Sequence, residues 1–258
     1  MVLSFFRGLV ALAGAMLLAL AHAAPEVVVP LRICLPDLEA IPYLNAPEQP
    51  PGLIERLLME AGQQSGLPVR ITRAPILRCR LMMDNGEIDA SLAGWNAANQ
   101  ERARFPMKGE TVDATRRIVR VSVAWVQRRN AALKWDGQHF SGASGQQITV
   151  GTLRSVAMVA NGLQLQGYRL ENTSTSIHQL LLQLRAGRVE AAVGLVDQVQ
   201  REFDKGGFDD LQIVPGTSDQ HDFYVVVRRE RYASSGRLIE TFWDRLGKLR
   251  EMPSFQAR

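Results

Sequence analysis

The sequence predicts an α/β protein built from two similar lobes. Three observations carry this expectation. The order strand, helix, strand, helix, strand is legible twice along the chain. Each copy closes on the same short pattern: Gly86 to Ala90 within "NGEIDASLAG", and Gly187 to Ala191 within "AGRVEAAVGL". A closing amphipathic helix is left over after the second copy, and its apolar face must pack somewhere, most simply back on the first lobe.

The elements follow in order. "LRICLP", from Leu31 to Pro36, is a short apolar strand stopped by proline. The Pro-rich "DLEAIPYLNAPEQPPG" must be loop. In "LIERLLMEAGQQSG", Leu53, Ile54, Leu57, Leu58 and Ala61 share one helical face, and Gly66 and Pro68 end the helix. "VRITRA" is a second strand. "ILRCRLMMDNG" is a helix with Gly86 just past its end, and "EIDASLA" is a third strand. Alternating strands and helices of this kind make a parallel sheet covered by helices.

"QERARF" and a polar loop through "MKGETVDATRR" then lead into a long strand, "RIVRVSVAWVQRR". "ALKWDGQHFSGASGQQ" is loop. The earlier order restarts at Ile148: strand "ITVGT", helix "SVAMVANGLQLQG" after a Ser155 cap, strand "YRLENT", helix "SIHQLLLQLRAG" and strand "RVEAAVGL". After "VDQVQREFDKGG" and "LQIVPG" come a strand, "HDFYVVVRR", and the closing helix, "SSGRLIETFWDRLGKLRE".

The chain has 258 residues, 46% hydrophobic and 22% charged, which is enough for a sizeable core. Its start departs from that composition. Arg7 is followed by an uncharged apolar run from Leu9 to Ala21, and Ala21 and Ala23 are the small residues a signal peptidase needs. Residues 1–23 are therefore expected to be a cleaved signal peptide, since the run is shorter than the roughly 20 residues that span a bilayer. The net charge of +4 is mild and the arginines are scattered, so no nucleic-acid partner is expected. Cys34 and Cys79 are an even pair in an exported chain, which favours a bridge over two buried thiols.

Catalytic and metal chemistry is not signalled. His139, His178 and His221 are not in a metal-ligand spacing. There is no G-x-S-x-G elbow, no phosphate-binding loop and no dinucleotide fingerprint. No acid, base and nucleophile set is visible, so the expectation is a non-enzyme without metal or cofactor.

At this point the residues resemble a known family. The exported chain, the two α/β lobes, "GLIERLLMEAG", "MMDNGEIDASLAG" with "QERARFP", and "LLLQLRAGRVEAAVG" look like type 2 periplasmic solute-binding proteins. The nearest group is the polar-amino-acid-binding family of ABC transporters. A subgroup is suggested by Cys34, Arg78-Cys79, Phe105-Pro106-Met107, Arg116-Arg117 and Trp135-Asp136-Gly137, and in it the two cysteines look bridged.

The resemblance implies a clamshell with a ligand cleft and two hinge strands. Lobe 1 would comprise residues 24–119 and a return segment, 224–258, and lobe 2 residues 120–223. It implies a periplasmic monomer that captures a small polar solute, amino-acid-like or carboxylate, and delivers it to an ABC permease. The alternatives are a receptor for a membrane signalling protein and, further off, a cleft enzyme acting on a small carboxylic acid.

Seven residues are expected at the ligand. Tyr43, after the first strand, is placed to stack on it. Trp95 and Asn96 follow the third strand, offering a ring and hydrogen bonds. Arg102 matches the family's arginine that forks onto the ligand carboxylate. Ser155, with Arg154 beside it, opens a helix whose N–H groups suit an anion. In α-amino-acid binders an Asp after the second lobe's pattern accepts from the ligand ammonium. Here that place is Leu195, and Asp197 lies two residues further on. The ligand is therefore expected to depart from an ordinary amino acid. Asp89 and Glu190 are expected to be structural.

Overall fold

The chain was analysed as a computed structural model, which describes residues 28–137, 139–141, 147–154, 166–217 and 219–256. The expected signal peptide and most of the helix after Ser155 lie outside the described residues. In the first half, β1 (Leu31–Pro36), α1 (Leu53–Ser65), β2 (Val69–Ala74), α2 (Ile76–Asp84) and β3 (Ala90–Gly94) follow one another. α3 (Ala97–Arg102), β4 (Ala103–Arg104) and the ribbon of β5 (Met107–Lys108) with β6 (Thr111–Val112) come next. β7 (Val119–Arg128) leads to a second ribbon, β8 (Lys134–Trp135) with β9 (Phe140–Ser141). The second half holds β10 (Thr149–Leu153), β11 (Arg169–Ser174), α4 (Ile177–Arg185), β12 (Ala191–Leu195), α5 (Val196–Asp204) and β13 (Leu211–Ile213). β14 (Asp219–Arg228) and α6 (Arg229–Arg250) complete the fold.

One sheet runs through both halves in the order β11-β10-β12-β7-β14-β3-β1-β2. β1, β2 and β3 are mutually parallel, as are β10, β11 and β12. β7 and β14 join the two sets as an antiparallel pair, with Val119 opposite Phe223 and Val123 opposite Asp219. Each half has its own core. Leu31, Ile33, Leu57, Leu58, Phe242, Trp243 and Leu246 fill the first, between the sheet, α1 and α6. Trp243 is fully buried and donates its indole N–H to Val225 O at 2.8 Å, so the polar atom is satisfied. Leu180, Leu181, Leu184, Val199 and Phe208 fill the second. Burial of such side chains stabilises by roughly 1.5–3 kcal/mol each. The closing helix thus lies on α1 of the first half.

The repeated pattern has a physical explanation. Gly86 and Gly187 are the residues past α2 and α4, at φ +74° and +72°, a backbone region that glycine enters without steric cost. The acid then reaches sideways. Asp89 accepts from Arg32 N–H at 3.0 Å, and Glu190 accepts from Thr149 N–H at 2.8 Å. Each carboxylate therefore ties its own segment to the start of the neighbouring strand. Both strands begin one residue after the acid, at Ala90 and Ala191, later than the expected starts at Glu87 and Arg188.

Cys34 on β1 and Cys79 on α2 form a disulfide with a Cα–Cα distance of 5.5 Å across 45 residues. The bridge sits among Phe105, Tyr224 and Val226 and pins α2 to the sheet.

Candidate functional site

The parallel strands of both halves end at the crossing pair. Gly94, the last residue of β3, lies opposite Phe223; Leu195, the last of β12, lies opposite Val123. Phe223 and Val123 fall in the short stretch where β7 and β14 pair with each other. The loops that leave β1, β3, β10 and β12 therefore open toward one place between the lobes. Carboxyl ends of parallel strands are where α/β sheets bind ligands.

The loop after β1 is held firmly. Leu53 and Ile54 donate their N–H groups to Pro42 O and Tyr43 O, each at 3.0 Å. Gly52 approaches so closely that a Cβ there would stand 2.5 Å from Tyr43 O. Arg73, at the end of β2, donates to Pro36 O and Leu38 O, both at 2.9 Å, and to Glu55 at 3.0 Å. One guanidinium thus fixes the strand end, the loop and the first turn of α1. Nothing in the sequence marks Arg73, because its role depends on three partners distant in the chain.

On this platform Tyr43 meets the other lobe. Its hydroxyl donates to Asp197 Oδ2 at 2.7 Å. Beside it, Gln198 Nε2 donates to Glu39 O at 3.3 Å. Burial first, and then the Asp197 carboxylate, push the Tyr43 phenol above its ordinary value of 10.0, so it stays a neutral donor. Tyr43 and Asp197 are two of the residues expected at the ligand. The structure brings them together, but as partners of each other.

The remaining expected residues divide. Trp95 follows β3, is 37% exposed, and meets Phe105 edge-on at 5.0 Å. Its ring is thus packed on one side and open on the other. Asn96 caps α3 and accepts from Asn99 N–H at 2.8 Å, so its carbonyl is engaged in the helix start. Arg154 follows β10 and its N–H donates to Ser174 O at 2.9 Å. Its side chain is exposed and has no partner among the described residues. Ser155 lies outside the described residues.

Arg102 is not with this group. It pairs with Asp84 at 3.2 Å, and both side chains are about half exposed. α3 carries the chain back along β3, so that the next residues, Ala103 and Arg104, pair with Arg228 and Val227. Val227 also faces Ala90, the first residue of β3. Arg102 therefore lies at the amino-terminal edge of the strand, away from the carboxyl ends. The family's carboxylate fork is not formed by this residue.

The crossing strands add charges that spacing alone did not single out. Arg120 lies directly opposite Asp222 and binds it through two hydrogen bonds, at 2.7 and 2.8 Å. Arg117 stands 3.5 Å from the same carboxylate. Hydrogen bonding from Arg120 holds the Asp222 carboxyl below its ordinary range, against the effect of burial. Cavities of about 420 and 460 Å³ lie elsewhere, beside Arg32 and Arg228 and beside Gln179 and Leu182. Strand direction locates the candidate site; concavity does not. Among the described residues no group of His, Cys, Asp or Glu is arranged to hold a metal ion, and no helix is long and apolar enough to cross a membrane.

No protein-family model matches the chain, and no curated protein matches it. Solved structures share its fold. The GluR0 ligand-binding core from Nostoc punctiforme, in complex with L-glutamate, superposes with a TM-score of 0.63 at 12% identity, over 88% of this chain and 96% of that one. A histidine kinase sensor domain with similarity to periplasmic binding proteins gives 0.60 at 16%, over 87% and 92%. A mutant of ArgBP from T. maritima gives 0.59 at 15%, over 87% and 91%. At these identities the likeness shows the fold: a two-lobed α/β clamshell of the type 2 periplasmic binding protein kind. It does not reach the cysteine-bearing subgroup.

Proposed function

We propose that the chain is an exported solute receptor that closes its lobes over a small polar solute and presents the closed form to a membrane protein. The observation that carries this is the meeting of Tyr43 and Asp197, from opposite lobes, at the mouth where the strand ends converge. A clamshell of this kind needs side chains that touch only when the lobes approach, and this pair does. We take residues 24–119 with 224–258 as one lobe, 120–223 as the other, and the crossing of β7 and β14 as the hinge.

Arg154 and Trp95 are the side chains left to face a solute, with the turn at Ser155 beside Arg154. An unpaired guanidinium and an open aromatic face suit a carboxylate with some apolar body. Asp197 is engaged by Tyr43, and Leu195 occupies the ammonium acceptor's place. Both features support a ligand other than an ordinary α-amino acid. The fold neighbours are binding proteins and sensor domains, which supports recognition over catalysis.

The partner is an ABC permease on the resemblance noted in the sequence. A second reading, a receptor for a membrane signalling protein, is favoured by sensor domains among the neighbours, including the BvgS VFT2 domain of Bordetella pertussis. Mass spectrometry of ligand co-purified with the exported protein tests the binding reading, together with thermal shift across a library of small carboxylates. A single solute class that raises the melting temperature is the expected result. No co-purified ligand and no shift, from protein shown to be folded, would overturn it. Turnover of the bound solute would instead establish an enzyme.

A further inference from the structure

Helix α2 is apolar on the side that faces nothing. Cys79 and Met83 turn inward and are buried, whereas Leu77 is 65% exposed, Leu81 62% and Ile76 39%. Leu77 and Leu81 stand one turn apart on the outward face. Arg78 and Arg80 border them on either side and have no ion-pair partner among the described residues. Single exposed apolar residues are ordinary, but three on a helix of nine residues form a patch. The Cys34–Cys79 bridge fixes this helix to the sheet, so little order remains to be lost on binding.

The second lobe shows how the same place is covered when the chain supplies the cover. With Gly86 set on Gly187, Ile76 corresponds to Ile177, which is 6% exposed. Ile177 and Val199 of α5 crowd the same point at Gly194, while His178 bonds to Glu202 of α5 at 2.9 Å. Lobe 1 has only α3 in that position, six residues against the nine of α5. The covering helix is missing where the apolar residues are most exposed.

We propose that the outward face of α2, built on Leu77 and Leu81 between Arg78 and Arg80, docks an amphipathic helix that carries apolar and acidic side chains. The helix belongs to the membrane protein that the receptor addresses, so the proposal rests on the receptor reading above. Carboxylates on such a helix meet the two free guanidinium groups, as Glu202 meets His178 in the other lobe. A second copy of this chain is disfavoured, because a two-fold contact would set Arg78 and Arg80 against their own equivalents.

The test uses the full chain in its own cells, with a photo-crosslinking amino acid at position 81 and a control at Gln64 on α1. Position 81 is expected to crosslink to a membrane protein, at a segment that peptide mapping shows to combine apolar and acidic residues. Arg78→Glu with Arg80→Glu is expected to lower that yield about tenfold, the effect of losing about 1.4 kcal/mol, and charge reversal in the mapped segment to restore it. Equal yields at positions 81 and 64, or a yield indifferent to charge reversal, overturn the proposal. So does Leu81-dependent binding of the purified protein to phosphatidylglycerol vesicles, which would assign the face to lipid. A dimer in sedimentation that Leu81→Arg abolishes overturns it in favour of self-association. Melting temperature and solute-induced shift are measured on every variant. Lost crosslinking with solute binding intact isolates the docking face, whereas lost solute binding in the unaltered chain bears on the receptor reading instead.

Discussion

Asp89 and Glu190 stand at the same place in the two lobes, but they differ in what they hold. Asp89 takes the Arg32 backbone N–H and two guanidinium hydrogen bonds, at 3.0 and 2.8 Å, with its side chain only 4% exposed. Glu190 takes one backbone N–H. Removing the buried charge leaves Arg32 short of a partner. Asp89→Asn should therefore cost about 2 kcal/mol and Glu190→Gln about 1 kcal/mol, as read from urea midpoints at constant slope. Burial raises the Asp89 pKa, but the hydrogen bonds from Arg32 outweigh it and hold the carboxyl below its ordinary 3.8. A depressed folded value means that the stabilisation is present above pH 3.8 and lost as pH falls through the lower, folded value. Asp89→Asn should thus flatten the acid limb of the stability curve below that pH; an unchanged limb would show that Asp89 contributes no linkage. The structural role of both acids was legible from their position at strand starts. Which atoms they bind was not, because the partners come from strands earlier in the chain.

Helices and strands were legible wherever one face of a segment is buried. The periodicity of α1 and α4 and the apolar runs of β7 and β14 come through because burial dictates each of those positions. α3 was not legible: it has no buried residue, so no apolar stripe announces it. Its six residues nonetheless carry Arg102 to the wrong end of β3 for a ligand contact. A site residue read by alignment thus failed through the length of one unpatterned helix. The disulfide is an element-scale tie between β1 and α2, and closing 45 residues is worth at most ~4 kcal/mol in the unfolded chain. Cys34→Ser with Cys79→Ser should lower the melting temperature by roughly 10 °C. Reductant should do the same to the unaltered chain and nothing to the variant. Equal melting points for the two proteins would show that the tie contributes nothing.

At the scale of the whole molecule, the question is what keeps the lobes together before a solute arrives. Tyr43 and Asp197 form a bond between lobes whose cores are otherwise separate, with Gln198 and Glu39 beside it. A hydrogen bond to a carboxylate at a partly exposed place contributes about 1 kcal/mol, and that shifts an open–closed equilibrium roughly fivefold. Tyr43→Phe keeps the ring and its packing and removes only the donor; Asp197→Asn removes the charge from the other side. Each should enlarge the solute-free protein in small-angle scattering. The double variant should add little beyond either single change, since both break the same bond. The melting temperature should move little, because the contact lies between the cores and not within them. If Tyr43 instead serves the solute directly, Tyr43→Phe would leave the solute-free profile unchanged and weaken the solute-induced compaction. If the bond is a latch, compaction by solute persists in both variants but begins from a more open state. The two outcomes differ in sign on the solute-free protein alone, so the experiment can be done before the solute is known.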